Sequence, residues 1–256
     1  MKERWQNLPW YSKVLFAVLV AVLIVYLATN LFSRKDDITN ITTTPDETPD
    51  DTDTQISVSS KELNEENFTG SIPVINGKGE FVDRARAYVD STLSDFRISA
   101  NEDVPAMREQ FGADSPTANY TLDIKARHVQ NSETQSIVLS SYVYTGGANG
   151  NNFYKVFTAS VPDGKILTLS SLIREERKAD FTRLVKDSLL KWRPGGADSM
   201  TVFEDAVADL TFQSFDDWSL DDKNLILYFD KYEIGPGALG AVEFPLPLST
   251  AKAFLK

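Results

Sequence analysis

The sequence predicts an α+β domain, a mainly antiparallel sheet with packed helices, preceded by one transmembrane helix and a disordered acidic stalk. Three observations carry that prediction. Val14 to Phe32 has no charged residue in 19 positions. The stretch that follows exchanges apolar side chains for threonine, aspartate and proline. From Lys61 onward, segments with an apolar period of two and segments with a period near 3.6 come in phases, without the strand–helix alternation that builds a parallel sheet.

Taken in order, residues 1–13 form a short tail with Lys2, Arg4 and Lys13. Residues 14–32 are long enough, at about 1.5 Å of rise each, nearly to cross a hydrocarbon core of about 30 Å. Trp5, Trp10 and Tyr11 precede them as interfacial aromatics do. A cleaved signal peptide is the competing reading, but cleavage after Ala28 would put bulky Tyr26 where a small residue is needed. The basic tail predicts an amino terminus inside the cell and a domain outside it. Arg34 and Lys35 oppose that orientation, with Asp36 and Asp37 following at once. Residues 33–60 make the linker: from Asp36 to Ser60 there is almost nothing to bury, so ordering is not compensated and like charges keep the chain extended.

Residues 61–256 make the folded domain. Phe81, Val82, Ala85, Tyr88, Val89, Leu93 and Phe96 place one apolar stripe on a helix within Gly79 to Arg97. Glu102 to Phe111 reads as a second, shorter helix. Tyr120, Leu122, Ile124, Ala126 and His128 alternate with Thr121, Asp123, Lys125 and Arg127, which predicts a strand with one buried face. Ser136 to Thr145 and Asn152 to Val161 flank a glycine turn, and Pro162-Asp163-Gly164-Lys165 turns the chain again toward Ile166-Leu167. Ser170 or Ser171 caps a helix carrying Phe181, Leu184, Val185 and Leu189. Met200, Phe203, Val207 and Leu210 recur at helical spacing. Strands return at Thr211 to Phe215, Leu225 to Phe229 and Val242 to Leu246, with Asp221 to Asn224 turning between the first two.

Composition excludes several chemistries. The chain has no cysteine and one histidine, so thiolate metal sites, a histidine-rich zinc site and a Ser-His-Asp triad are all unavailable. His128, on the apolar side of its strand, reads as a half-buried structural residue. Setting aside the five basic residues and Glu3 before Asp36 from totals of 26 basic and 37 acidic leaves a net −15 for the rest. Such a surface repels nucleic acid and favours cationic partners. Ser249-Thr-Ala-Lys252 matches a serine–lysine pattern without its partner motifs. Asp216, Asp217, Asp221 and Asp222 lack the ligand spacing of a calcium loop. Gly146-Gly147 precedes a strand, so it cannot offer a phosphate the amino terminus of a helix. Glycan hydrolysis by a carboxylate pair remains open, because acids are too plentiful to single out two. No cofactor is expected.

Thr145-Gly-Gly-Ala148, the aromatic-rich strand after it, the Asp163-Gly-Lys turn and Leu169-Ser-Ser-Leu-Ile173 resemble the extracytoplasmic domain shared by the anti-sigma factor RsiV and the peptidoglycan deacetylase PdaC. A second string, Tyr232-Glu-Ile-Gly-Pro-Gly-Ala-Leu-Gly240, is similar to the run that follows a strand in that family. The likeness extends over about Ile72 to Leu248. Gly237 stands where the family commonly has an aromatic, and Asn149 near its frequent histidine. The resemblance implies a non-catalytic module at the bacterial cytoplasmic membrane that binds or senses an envelope component, either cell-wall glycan or a cationic protein such as lysozyme. Residues 1–13 are too few for the sigma-binding domain of the anti-sigma factor, and no deacetylase domain is expected. A glycan-acting enzyme and a ligand-free scaffold are the alternatives. The expected contact residues lie on two loops: Gly146, Gly147, Ala148 and Asn149 on one, and Tyr232, Ile234, Gly235, Pro236, Gly237, Ala238, Leu239 and Gly240 on the other. Each loop leaves backbone groups accessible beside an aromatic side chain.

Overall fold

The computed structural model describes residues 55–112, 115, 118–194, 196 and 200–256. The expected tail, transmembrane helix and most of the linker lie outside the described residues. Among those described, no helix is long and apolar enough to cross a membrane.

Strands β1 (Ser57–Asn64) and β2 (Phe68–Asn76) form an antiparallel pair. The chain then crosses through helix α1 (Glu80–Phe111) to β3 (Tyr120–Gln130), which lies parallel to β2. Strands β4 (Thr134–Tyr144), β5 (Asn151–Ser160) and β6 (Ile166–Leu167) complete a six-stranded sheet in chain order. All its other pairings are antiparallel. Helices α2 (Leu169–Leu172), α3 (Lys178–Lys191) and α4 (Glu204–Asp209) follow. A second, three-stranded antiparallel sheet holds β7 (Trp218–Leu220), β8 (Asn224–Phe229) and β9 (Val242–Pro247), before the short helix α5 (Leu248–Ala251).

Strand alternation explains the layering. Leu122, Ile124, Ile137 and Leu139 point to one side of the large sheet, where α1 covers them with Phe81, Val82, Ala85, Val89 and Phe96. On β8, Leu225, Leu227 and Phe229 join Phe181, Val185 and Leu189 of α3 and Trp218 in a second core. The intervening residues Ile226 and Tyr228 face the other way and meet Val138 and Val156 of the large sheet. The order of layers is therefore α1, large sheet, small sheet, and the later helices.

Several expectations change. The ordered chain reaches back across the expected boundary at residue 60, because Ser57 to Ser60 already pair with residues 73–76 of β2. The two amino-terminal helices are one. Phe96, Ala100 and Val104 continue the apolar stripe at intervals of four, and burial of Val104 holds the helix through Pro105. Its cap at the far end is Gly112, with φ of 93°. Thr168, not Ser170 or Ser171, caps a helix, and that helix is the short α2; Ser171 returns the bond to Thr168. Residues 211–215 are not a strand. Thr211 and Ser214 close a 3₁₀ turn over Phe212–Phe215, burying Phe215, and the hairpin turn at Asp221 joins β7 to β8 instead. The expected helix from Met200 shrinks to α4, leaving Met200 and Phe203 exposed.

Candidate functional site

The face of the large sheet turned away from α1 is ordered in rows. Asp123 on β3, Tyr142 on β4 and Asn152 on β5 are register partners and form one row across the strands. Lys125, Ser140 and Tyr154 form the next, and Arg127, Val138 and Val156 the third. The small sheet covers the third row through Ile226 and Tyr228. It also reaches Tyr154 in the second row and stops short of the remaining side chains of the first two. They remain open as a groove of about 490 Å³, bordered on the small-sheet side by Gly240 and Ala241.

The covered end of the groove is closed by polar contacts. Arg127 donates to the Tyr228 hydroxyl at 2.9 Å and pairs with Glu243 at 2.6 Å. The Tyr154 hydroxyl donates to the other Glu243 oxygen at 3.0 Å, and the Tyr154 ring lies 5.0 Å from that of Tyr228. Burial, and then the Glu243 carboxylate, push the Tyr154 phenol far up, so it remains a neutral donor. Glu243 and Arg127 are thereby committed to each other and to the two tyrosines. Asp123 accepts from Ser71 Oγ at 2.9 Å through one oxygen.

The edge of β5 is stitched to the small sheet by carboxylates. Tyr154 N–H donates to Asp230 at 2.8 Å and Val156 N–H to Asp217 at 2.7 Å, while Lys155 pairs with Asp217. Burial raises the pKa of Asp230, and the bond from Tyr154 opposes the shift. These acids occupy backbone donors that an open strand edge would expose. Asp217 and Asp230 therefore belong to an architectural seam. Among the described residues no group of three His, Cys, Asp or Glu side chains is arranged to hold a metal ion.

The two expected loops are neighbours, and Lys231 joins them. Its backbone N–H donates to Asn152 O at 3.0 Å, and its ammonium reaches Gly150 O at 2.5 Å. The same ammonium lies 5.0 Å from the centre of the Tyr232 ring. Tyr232 is exposed and has a φ of 73°, an uncommon conformation for a bulky residue. Its ring rests where a side chain on Gly237 would stand, since a Cβ there would come within 2.3 Å of it. A side chain at position 237 would therefore have to displace the Tyr232 ring.

Each expected contact residue can now be placed. Gly147, Ala148 and Asn149 are exposed at the tip of the β4–β5 turn, beside Gly146 with its φ of 83°. Ala238 is exposed, while Pro236 and Gly237 are half-buried. Ile234 and Gly235 are buried; Ile234 is a core residue with 1 % exposure. Leu239 packs against the same core. Gly240 alone of the twelve lines the groove. The groove-lining residues Asp123, Lys125, Ser140, Tyr142 and Tyr154 were not among the expected contacts. The polar alternation on β3 was visible, but it read as a solvent face because nothing local marks half of that face as covered.

Two family models match separate parts of this two-sheet α+β domain and support a domain of the PdaC/DUF3298 type. The family described as "Deacetylase PdaC" matches residues 59–152, and the family described as "Protein of unknown function (DUF3298)" matches residues 165–249. The first covers β1 through the start of β5, the second β6 through β9, and the groove draws residues from both. The chain is similar to the peptidoglycan-N-acetylmuramic acid deacetylase PdaC of Bacillus subtilis (strain 168), with 26 % identity over 128 residues. That likeness spans 48 % of this chain and 27 % of the relative, so the chain corresponds to about a quarter of that protein's length. Two solved structures share the fold. A DUF3298 family member from Bacteroides fragilis NCTC 9343 superposes with a TM-score of 0.53 at 16 % identity, over 80 % of this chain and 95 % of the other. One from Pseudomonas aeruginosa PAO1 gives 0.52 at 18 % identity, over 79 % and 93 %.

Proposed function

We propose that this chain is a membrane-anchored, extracytoplasmic binding module whose PdaC/DUF3298-type domain takes up cell-wall glycan in the groove of the large sheet. The observation that carries this reading is the groove itself, about 490 Å³, open along one side and floored by two rows of hydrogen-bonding side chains with tyrosines among them. Hydroxyl-rich sugars suit such a surface, because ring faces lie on aromatic groups while edges exchange hydrogen bonds. The name of the Bacillus subtilis relative, a peptidoglycan deacetylase, supplies the kind of polymer. The module is non-catalytic in this reading. Hydrolysis by two carboxylates needs a pair about 5–9.5 Å apart flanking the bond. Among the described lining residues Asp123 is the one carboxylate, and nearby Glu243 is held by Arg127 and Tyr154.

Retention of the full chain on insoluble peptidoglycan tests the proposal. Ser140→Trp fills the groove from its floor and is expected to abolish retention with little change in melting temperature. Asn149→Arg, at the exposed turn tip, is expected to be retained like the parent chain. Normal retention of Ser140→Trp would discard the groove. Loss in Asn149→Arg alone would move the glycan contact from the groove to the two loops.

A further inference from the structure

The charged groups around the groove are not equivalent. Glu243 and Arg127 neutralise each other at its closed end. Lys155 is paired with Asp217, and Lys231 is held by Gly150 O and the Tyr232 ring. Asp123 shares one oxygen with Ser71. Lys125 differs from all of these: it is exposed, lines the groove, and has no hydrogen bond or ion pair to any described residue. An ammonium is strongly hydrated and free to pair with any acid within reach. In a chain of net charge −11, this one stands unpaired on the groove floor.

We infer that Lys125 determines specificity and that the groove selects saccharides bearing a carboxylate, an inference that rests on the glycan reading above. Lys125 and Asp123 are two residues apart on one strand face, so their side chains leave the sheet about 6.6 Å apart. Two substituents of a single sugar ring span that separation. The Lys125 ammonium receives the carboxylate, and the free Asp123 oxygen and the Asn152 amide take the hydroxyl or N-acyl group beside it. No bond is made or broken. A contact between full charges is shorter and stronger than one between neutral groups. It therefore adds selectivity to a surface that otherwise offers neutral hydrogen bonds, and it weakens with salt because the groove is open.

Titration calorimetry of the full chain with three disaccharides tests this. Chitobiose is neutral. N-acetylglucosaminyl-N-acetylmuramic acid carries a lactyl carboxylate, and a glucuronic acid–N-acetylglucosamine disaccharide carries its carboxylate on the ring. At least one acidic sugar is expected to bind about tenfold more tightly than chitobiose, a difference typical of one charge-assisted hydrogen bond. Which of the two is preferred identifies the position of the carboxylate. Lys125→Met should remove the preference for acidic sugars over chitobiose, and Lys125→Arg should keep it. Equal binding of all three sugars, or a preference that survives Lys125→Met, would overturn the inference and leave the groove reading standing. Binding of none of them would overturn the glycan reading and this inference with it.

Discussion

His128 shows how much a single residue's role depends on what surrounds it. On β3 it continues the helix-facing set, half-buried, with Nε2 out of reach of any hydrogen-bond partner. Burial lowers its pKa from the ordinary 6.5, and a bond involving Gln135 resists the shift. A lowered folded-state pKa means that the contribution to stability is complete above 6.5 and is lost as pH falls through the folded value. His128→Leu should therefore flatten the fall in melting temperature between about pH 7 and about pH 5. An unchanged slope in thermal melts would show that the imidazole is hydrated in both states. Its structural character was legible from its place in the alternation. The Tyr232–Gly237 contact was not, because it depends on a positive φ that no neighbouring residue type demands.

At the scale of elements, two sheets meet over a small apolar patch, and the polar contacts at its rim set their relative position. Arg127 and Glu243 side chains are 43 % and 41 % exposed, so solvent screens their attraction. A double-mutant cycle with Arg127→Ala and Glu243→Ala should give a coupling of about 1 kcal/mol or less. The coupling should shrink as salt is added. A coupling of zero in dilute buffer would assign the placement of the sheets to Val138, Val156, Ile226 and Tyr228 alone. The strands on both sides of this seam were readable as strands, since β3, β4, β5, β8 and β9 each have the right period or enough β-branched and aromatic residues. Residues 211–215 misled for the same reason: Phe212 and Phe215 fit a strand's composition, but the Thr211–Ser214 bonds close a turn first.

Over the whole molecule, the described residues hold two principal cores, one beneath α1 and one beneath α3, with the groove at the open end of the interface between the sheets. The first core depends on β1, which contributes Leu63 and pairs along its full length with β2. A fragment beginning at Gln55 should melt with the parent transition, whereas one beginning at Glu65 should lose more than about 5 °C. Equal melting of the two fragments would show that β1 is an ornament on the sheet edge.

By itself the sequence determined many of the elements, the α+β class and the likeness to the RsiV/PdaC-type domain, because period, turn residues and short motifs are local properties of the chain. It also bounded the chemistry, since a chain with no cysteine and one histidine has few ways to bind a metal or activate a nucleophile. Tertiary structure alone decided that Lys231 ties the two loops together and that Ile234 is core. It alone decided that the polar face of β3 is partly roofed by a sheet nearly a hundred residues further along. Whether a polar residue faces open water, a seam or a groove depends on the element packed over it, and the residues flanking it in sequence carry no record of that partner.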